Sequence, residues 1–156
     1  MYCEYRGLKY KIKKKNDKYI IISRVKKEGF TNYIDVLGNE HSELYMKGVK
    51  ANEVDVIYDE DVFMKYKDKY FRLFADKISR KVVLTDLYMI WTDSEQVAQE
   101  YAFEKKEQFV FIKYITRKEI EAVKIVKKPM LDFRNNEQSE EILEGKSLER
   151  WFSELI

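Results

Sequence analysis

The sequence predicts an α+β chain dominated by antiparallel sheet, and three observations carry that expectation. The first is an internal repeat. Tyr5-Arg6-Gly7 with Tyr10 and Ile12 returns at an offset of 61 as Tyr66-Lys67-Asp68 with Phe71 and Leu73. Ile20-Ile21-Ile22-Ser23 returns at 62 as Val82-Val83-Leu84-Thr85. Tyr45-Met46-Lys47 with Val49, Glu53, Val54 and Ile57 returns at 66 as Phe111-Ile112-Lys113 with Ile115, Glu119, Ile120 and Val123. Matches in one order with growing offsets are the mark of duplication followed by insertion. The second observation is period-two alternation of Tyr, Leu and Ile with Arg and Lys over residues 5–12, the pattern of a half-buried strand. The third is composition. Hydrophobic residues make up 45% and aromatic residues 15%, with one Pro and five Gly, so the chain can bury a core and has little linker-forming sequence.

These observations together describe two duplicated SH3-like or split-barrel halves, over residues 1–61 and 62–128, with short helices and a C-terminal helical tail over 129–156, packed as one compact unit. In the first half, Arg6-Gly7 is a tight turn, and Asn16-Asp17 leads into an apolar strand over 19–23. In the second half, strands are expected over 62–66, 70–74 and 81–85, with turns at 67–69 and 76–80. A strand over 87–91 follows, and then Thr92-Asp93-Ser94-Glu95 as a capping box for a helix whose Val97, Ala98, Tyr101 and Ala102 share one face. Each half then has a strand, 43–49 and 109–115, and a short helical turn, the second opened by the box Thr116-Arg117-Lys118-Glu119. Past Pro129 the repeat ends. Ser147 is positioned to cap a helix whose Leu148, Trp151, Phe152, Leu155 and Ile156 form one apolar stripe, expected to dock on the sheet.

Charge is segregated although the formal total is only +2. Residues 1–28 carry ten Lys or Arg against three acids, and residues 31–61 carry eight acids against two Lys. One cysteine excludes an intrachain disulfide and a Cys-based zinc cluster and fits a reducing cytoplasm. The apolar runs are too short to span a bilayer as a helix, so no membrane association is expected.

Few residues carry chemistry. His41 is the one histidine, in the loop Gly38-Asn39-Glu40-His41-Ser42, where a solvated ring outweighs a catalytic base. Cys3 reads as a half-buried strand thiol. The acidic run through Asp55, Tyr58, Asp59, Glu60 and Asp61 lacks the Gly turn and alternating oxygen ligands of a calcium loop, so neither a metal nor a cofactor is expected there. Its functional reading is a negatively charged patch steering a basic protein partner. The second candidate surface is basic and aromatic: Lys13, Lys14, Lys15, Lys18, Lys26 and Lys27 with Lys65, Lys67, Lys69 and Arg72, interleaved with exposed Tyr for single-stranded nucleic acid. The near-neutral total ranks it second.

Two resemblances accompany this reading. Tyr5-Arg6-Gly7, Trp91-Thr92-Asp93, Ala98 and Tyr101 loosely resemble the opening motif and the Ala-x-x-Tyr helix of ADP-ribosyltransferase-like folds, which implies a degenerate transferase as a third reading; the expected late catalytic Glu is not supplied. By size, composition and its motif-free aromatic α+β pattern, the chain resembles the small cytoplasmic immunity proteins that neutralise polymorphic toxins in Gram-positive bacteria. That resemblance implies a non-catalytic protein-binding module whose acidic surface plugs a basic toxin domain.

Overall fold

Alternating Lys and apolar residues give each early strand one wet and one dry face, and a computed structural model shows how those faces are used. It describes residues 1–74 and 78–155. The chain divides into two units, the first made of residues 1–60 and 128–138, the second of 61–127 and 139–156.

In unit 1, β1 (Tyr2–Tyr5), β2 (Leu8–Lys15), β3 (Lys18–Ser23), β4 (Thr31–Ile34), β5 (Glu40–Val49) and the first part of β6 (Val56–Tyr66) are ordered β4-β5-β3-β2-β1-β6, with antiparallel pairing. Arg6 (φ 50°) and Gly7 (φ 77°) close β1 on β2 in the two-residue turn with both central residues left-handed, whose twist matches the strands it joins. Residues directly opposite in an antiparallel pair share a face. Cys3 opposite Tyr10, Ile12 opposite Ile21, and Tyr19 opposite Val49 therefore build one core, which Tyr5, Phe30, Val54 and Ile57 complete.

Unit 2 continues β6 and adds β7 (Lys69–Leu73), α1 (Arg80–Thr85), β8 (Tyr88–Thr92), α2 (Glu95–Glu100), β9 (Glu104–Glu107), β10 (Val110–Ile115), β11 (Ala122–Pro129), β12 (Ser139–Leu143) and α3 (Gly145–Ser153). The order β6-β7-β8-β10-β9 follows, and β11 pairs with both β6 and β12. Met64, Phe71, Leu73, Tyr88, Ile90, Ile115 and Val123 form its core. In α3 the apolar stripe docks on that core: Leu148 is buried, and Phe152 meets Tyr88 edge-on at 5.5 Å. Ile156 lies outside the described residues.

The two units run through the same sequence of pairings. Asp55 N–H donates to Glu4 C=O at 2.8 Å, and Glu121 N–H to Lys65 C=O at 2.9 Å. Before each of these, a 3₁₀ turn is closed by a glutamate reaching back: Glu53 to Lys50 N–H (3.4 Å) and Glu119 to Thr116 N–H (2.8 Å). Ile21 lies opposite Lys47, and Ile90 opposite Lys113.

That last register corrects one expected match. Residues 82–85 are not the counterpart strand of 20–23; they belong to α1, because Ser79 Oγ accepts from Val82 N–H at 3.3 Å and Asp86 ends the helix in the left-handed region. The strand standing where β3 stands is β8, so Ile21 corresponds to Ile90 and not to Val83. The turn expected over 76–80 begins outside the described residues. Two caps also move. Ser94, not Thr92, caps α2 by accepting from Val97 N–H, while Thr92 Oγ1 accepts from Ser94 N–H. The helix at the C-terminal end starts before Ser147, whose hydroxyl instead bonds back to Glu144. Between Pro129 and that helix stand a 3₁₀ turn (Leu131–Phe133) and β12, so the tail is only partly helical.

Candidate functional site

The acidic run is not the open negatively charged patch the sequence suggested. Residues 56–61 lie in β6, and its register sets each carboxylate beside a cation. Asp59 Oδ1 is 3.4 Å from the Met1 amino group, Glu60 Oε1 accepts from Lys9 Nζ at 2.7 Å, and Asp61 Oδ1 accepts from Arg72 Nη2 at 2.7 Å. Surface pairs of this kind contribute at most about 1 kcal/mol each, yet they cancel the field that would steer a basic partner. Tyr58 is buried against Tyr2, its ring centroid 6.1 Å away, and desolvation raises its hydroxyl pKa. Of the five predicted binding residues, Asp55 alone is exposed.

The aromatic platform of the basic reading is corrected for a similar reason. Tyr5, Tyr10, Tyr19 and Tyr66 are core residues, so their faces are not open to bases. Lysines pack over them instead: Lys14 Nζ lies 5.9 Å from the Tyr19 centroid, and Lys67 Nζ lies 5.3 Å from that of Tyr66. Arg72 is occupied by Asp61. Four residues of the transferase resemblance have structural places. Arg6-Gly7 is a hairpin turn, and Ala98 and Tyr101 pack into the core of unit 2.

Neither single-copy nucleophile or base is set up for chemistry. Cys3 is fully buried, and desolvation pushes its thiol up to about 11, leaving little thiolate at neutral pH. His41 Nε2 is 3.0 Å from Asp35 Oδ2, whose other oxygen accepts from the Leu37 and Asn39 N–H groups, each at 2.9 Å. These bonds, that of His41 first, hold the Asp35 carboxyl at about 2. The pair fastens the β4–β5 hairpin.

A groove of about 600 Å³ lies in unit 1. Lys15 to Ile20 form one wall, from the β2–β3 hairpin; Gly29, Thr31 and the stretch Met46 to Gly48 form the rest. Ile20 lies opposite Gly48, and Met46 opposite Thr31, so two apolar side chains share the outer sheet face with a glycine. A Cβ at Gly48 would meet nothing within 4 Å: the missing side chain leaves the hollow open. Lys15 and Lys18, opposite each other on that same outer face, bring two ammonium groups to it, against Asp17. Lys47, opposite Ile21, sends its side chain to the other, core-facing side of the sheet. Its Nζ donates to Tyr5 Oη at 3.0 Å and lies 3.2 Å from where a Gly29 Cβ would stand, at a position whose φ of +84° already favours glycine. Neither Cys3 nor His41 borders the groove.

Sequence reasoning flagged Lys15 and Lys18 but missed Lys47, Gly29 and Gly48 as partners. A signal existed in Lys47-Gly48, a glycine inside an otherwise apolar strand pattern, which marks a close approach or a hollow. The model of one protein family, described as Uncharacterised conserved protein UCP033725, matches residues 1–132. The chain belongs to that family. The matched span includes every residue lining the groove, and it ends before β12 and α3. No curated protein and no solved structure matches the chain. Among the described residues no helix is long and apolar enough to cross a membrane, and no cluster of His, Cys, Asp or Glu has metal-binding geometry.

Proposed function

We propose that this chain is a non-catalytic protein-binding module made of two copies of one split-barrel unit, and that the groove of unit 1 is its recognition site. The observation that carries the reading is the placing of Lys15 and Lys18 beside the apolar Ile20 and Met46 on one sheet face. Cations around apolar surface suit a carboxylate-bearing partner, since opposite potentials speed encounter and apolar contact supplies affinity. The partner expected from the acidic run was basic; paired carboxylates on β6, and Lys15 and Lys18 without an ion pair among the described residues, favour the opposite sign. An immunity role, if this module has one, would likewise act through the groove and not through Asp55 to Asp61. The common origin of the units rests on their shared order of pairings and on the two equivalent glutamate-closed turns.

The test compares two polyanions. Poly-L-glutamate should bind the wild-type protein with an affinity that falls as salt rises, and a Lys15→Gln/Lys18→Gln variant should lose it. An Asp59→Asn/Glu60→Gln/Asp61→Asn variant should bind as the wild type does. Oligothymidylate bound about tenfold tighter than poly-L-glutamate at physiological salt would replace this reading with the nucleic-acid one.

A further inference from the structure

The two units end their sheets differently. In unit 2 the outermost strand, β9, reads Glu104-Lys105-Lys106-Glu107, four exposed charges, which is how natural sheets discourage pairing at an edge. The corresponding strand of unit 1, β4, reads Thr31-Asn32-Tyr33-Ile34 and carries no charge. Among the described residues β4 pairs with β5 alone, which leaves its other side unguarded. Past β4 the chain presents Val36 and Leu37, 93% and 83% exposed. At its other end, Gly29 and Thr31 open directly into the lysine groove.

We propose that β4 is the docking edge for an extended acidic segment of a partner protein, which adds to the sheet as one more strand. This rests on the protein-binding reading above and gives it a mode. Main-chain hydrogen bonds to β4 supply affinity and are blind to sequence, while side-chain sites at either end supply the choice of partner. A carboxylate of the added strand, where it passes Gly29 and Thr31, faces the groove that Lys15 and Lys18 border, and its apolar residues run on toward Ile34, Val36 and Leu37. The direction is set by charge. The carboxylates at the far end, Asp35 and Glu40, already accept from His41 and from Asn32 Nδ2, at 3.0 and 2.7 Å, and offer an acidic segment no cation to match the lysines.

A short acetylated peptide of alternating valine and glutamate is the probe, titrated into isotope-labelled full-length protein at low ionic strength. The expected result is shift changes in the amides of residues 31–34 together with those of Lys15, Lys18 and Lys47. The same peptide N-methylated at alternate residues keeps every charge but loses the donors a ladder needs, so it should bind at least about tenfold more weakly. Equal binding of the two peptides overturns strand addition while leaving the lysine groove as a protein site. Failure of the unmethylated peptide where poly-L-glutamate still binds overturns it in the same way, and failure of both polymers overturns the protein-binding reading as well. A concentration-dependent dimer with the 31–34 amides protected would mean that the edge serves a second copy of this chain, and it too would defeat the proposal.

Discussion

Tyr5, Tyr10 and Phe30 in unit 1 and Tyr66, Phe71 and Phe103 in unit 2 stand on matching strands and strand entrances, yet the two triplets are finished by different chemistry. In unit 2, α2 brings Tyr101 to within 5.1 Å of Phe71 and 6.4 Å of Tyr66, ring centre to ring centre, so an aromatic side chain covers the cluster. Unit 1 has no helix at that point. Lys27 Nζ donates to Tyr10 Oη at 2.9 Å and Lys47 Nζ to Tyr5 Oη at 3.0 Å, and ammonium groups finish the cluster. The central residue follows its cover: Phe71 where the cover is a ring, Tyr10 where it is a cation. The difference teaches that one sheet plan can end in a closed core or in a polar, open face. The groove lies on the unit that was left open.

The largest effect that could break this comparison comes from emptying the closed cluster. Phe71 is buried among Tyr66, Tyr101 and Phe103, so Phe71→Ala should destabilise the fold by about 3–5 kcal/mol, read by chemical denaturation. Wild-type stability would show that α2 does not close unit 2. Exchanging the central residues sharpens the point. Phe71→Tyr places a hydroxyl under Tyr101 without an ammonium donor and should cost about 1–3 kcal/mol. Tyr10→Phe removes one half-exposed hydrogen bond and should cost about 1 kcal/mol or less. Equal costs would mean that the covers are interchangeable.

The turns offer a smaller contrast. Gly7 (φ 77°) and Asp68 (φ 66°) hold the second central position of equivalent hairpins, and only glycine is free of strain there. Asp68→Gly should therefore stabilise unit 2 by up to about 1 kcal/mol, and Gly7→Ala should destabilise unit 1 by about 1–2 kcal/mol. Thermal melts of the two variants shifting in the same direction would refute the equivalence of the turns.

Much of the fold was legible because its signals are local. Tyr5-Arg6-Gly7 and Tyr66-Lys67-Asp68 each announce a turn between alternating strands, and Glu53 and Glu119 mark equivalent 3₁₀ turns at the offset of 66. Residues 82–85 misled because a short apolar, β-branched run has no period that separates strand from helix; Ser79 and Asp86, the caps on either side, decide it. The strand that holds the place of β3 in the order of unit 2, Tyr88–Thr92, was read as additional. The candidate site was less legible. Asp59, Glu60 and Asp61 read as an open acidic patch because sequence gives charge without register, and register is what sets them against Met1, Lys9 and Arg72. The groove was hidden for the same reason, since Ile20 and Gly48 meet only when β3 pairs with β5.

The finest test concerns the hairpin tips. Unit 1 fastens its β4–β5 tip with Asp35, which accepts from His41 and from two backbone N–H groups; the β9–β10 tip of unit 2 turns at Phe109 (φ 61°) and has neither histidine nor carboxylate between its strands. The folded Asp35 carboxyl, at about 2, lies below the ordinary aspartate value of about 3.9. A carboxyl lowered by folding stabilises the folded form above its unfolded pKa, and that contribution is lost as pH falls through the folded value. The Leu37 and Asn39 amides should therefore hold their shifts on acidification from about pH 5 and move only as the pH approaches about 2, whereas the amides of residues 108 and 109 should show no such step. His41→Ala removes the largest cause and should raise the midpoint toward the ordinary value. A wild-type midpoint already near that value would show that the two tips are fastened alike.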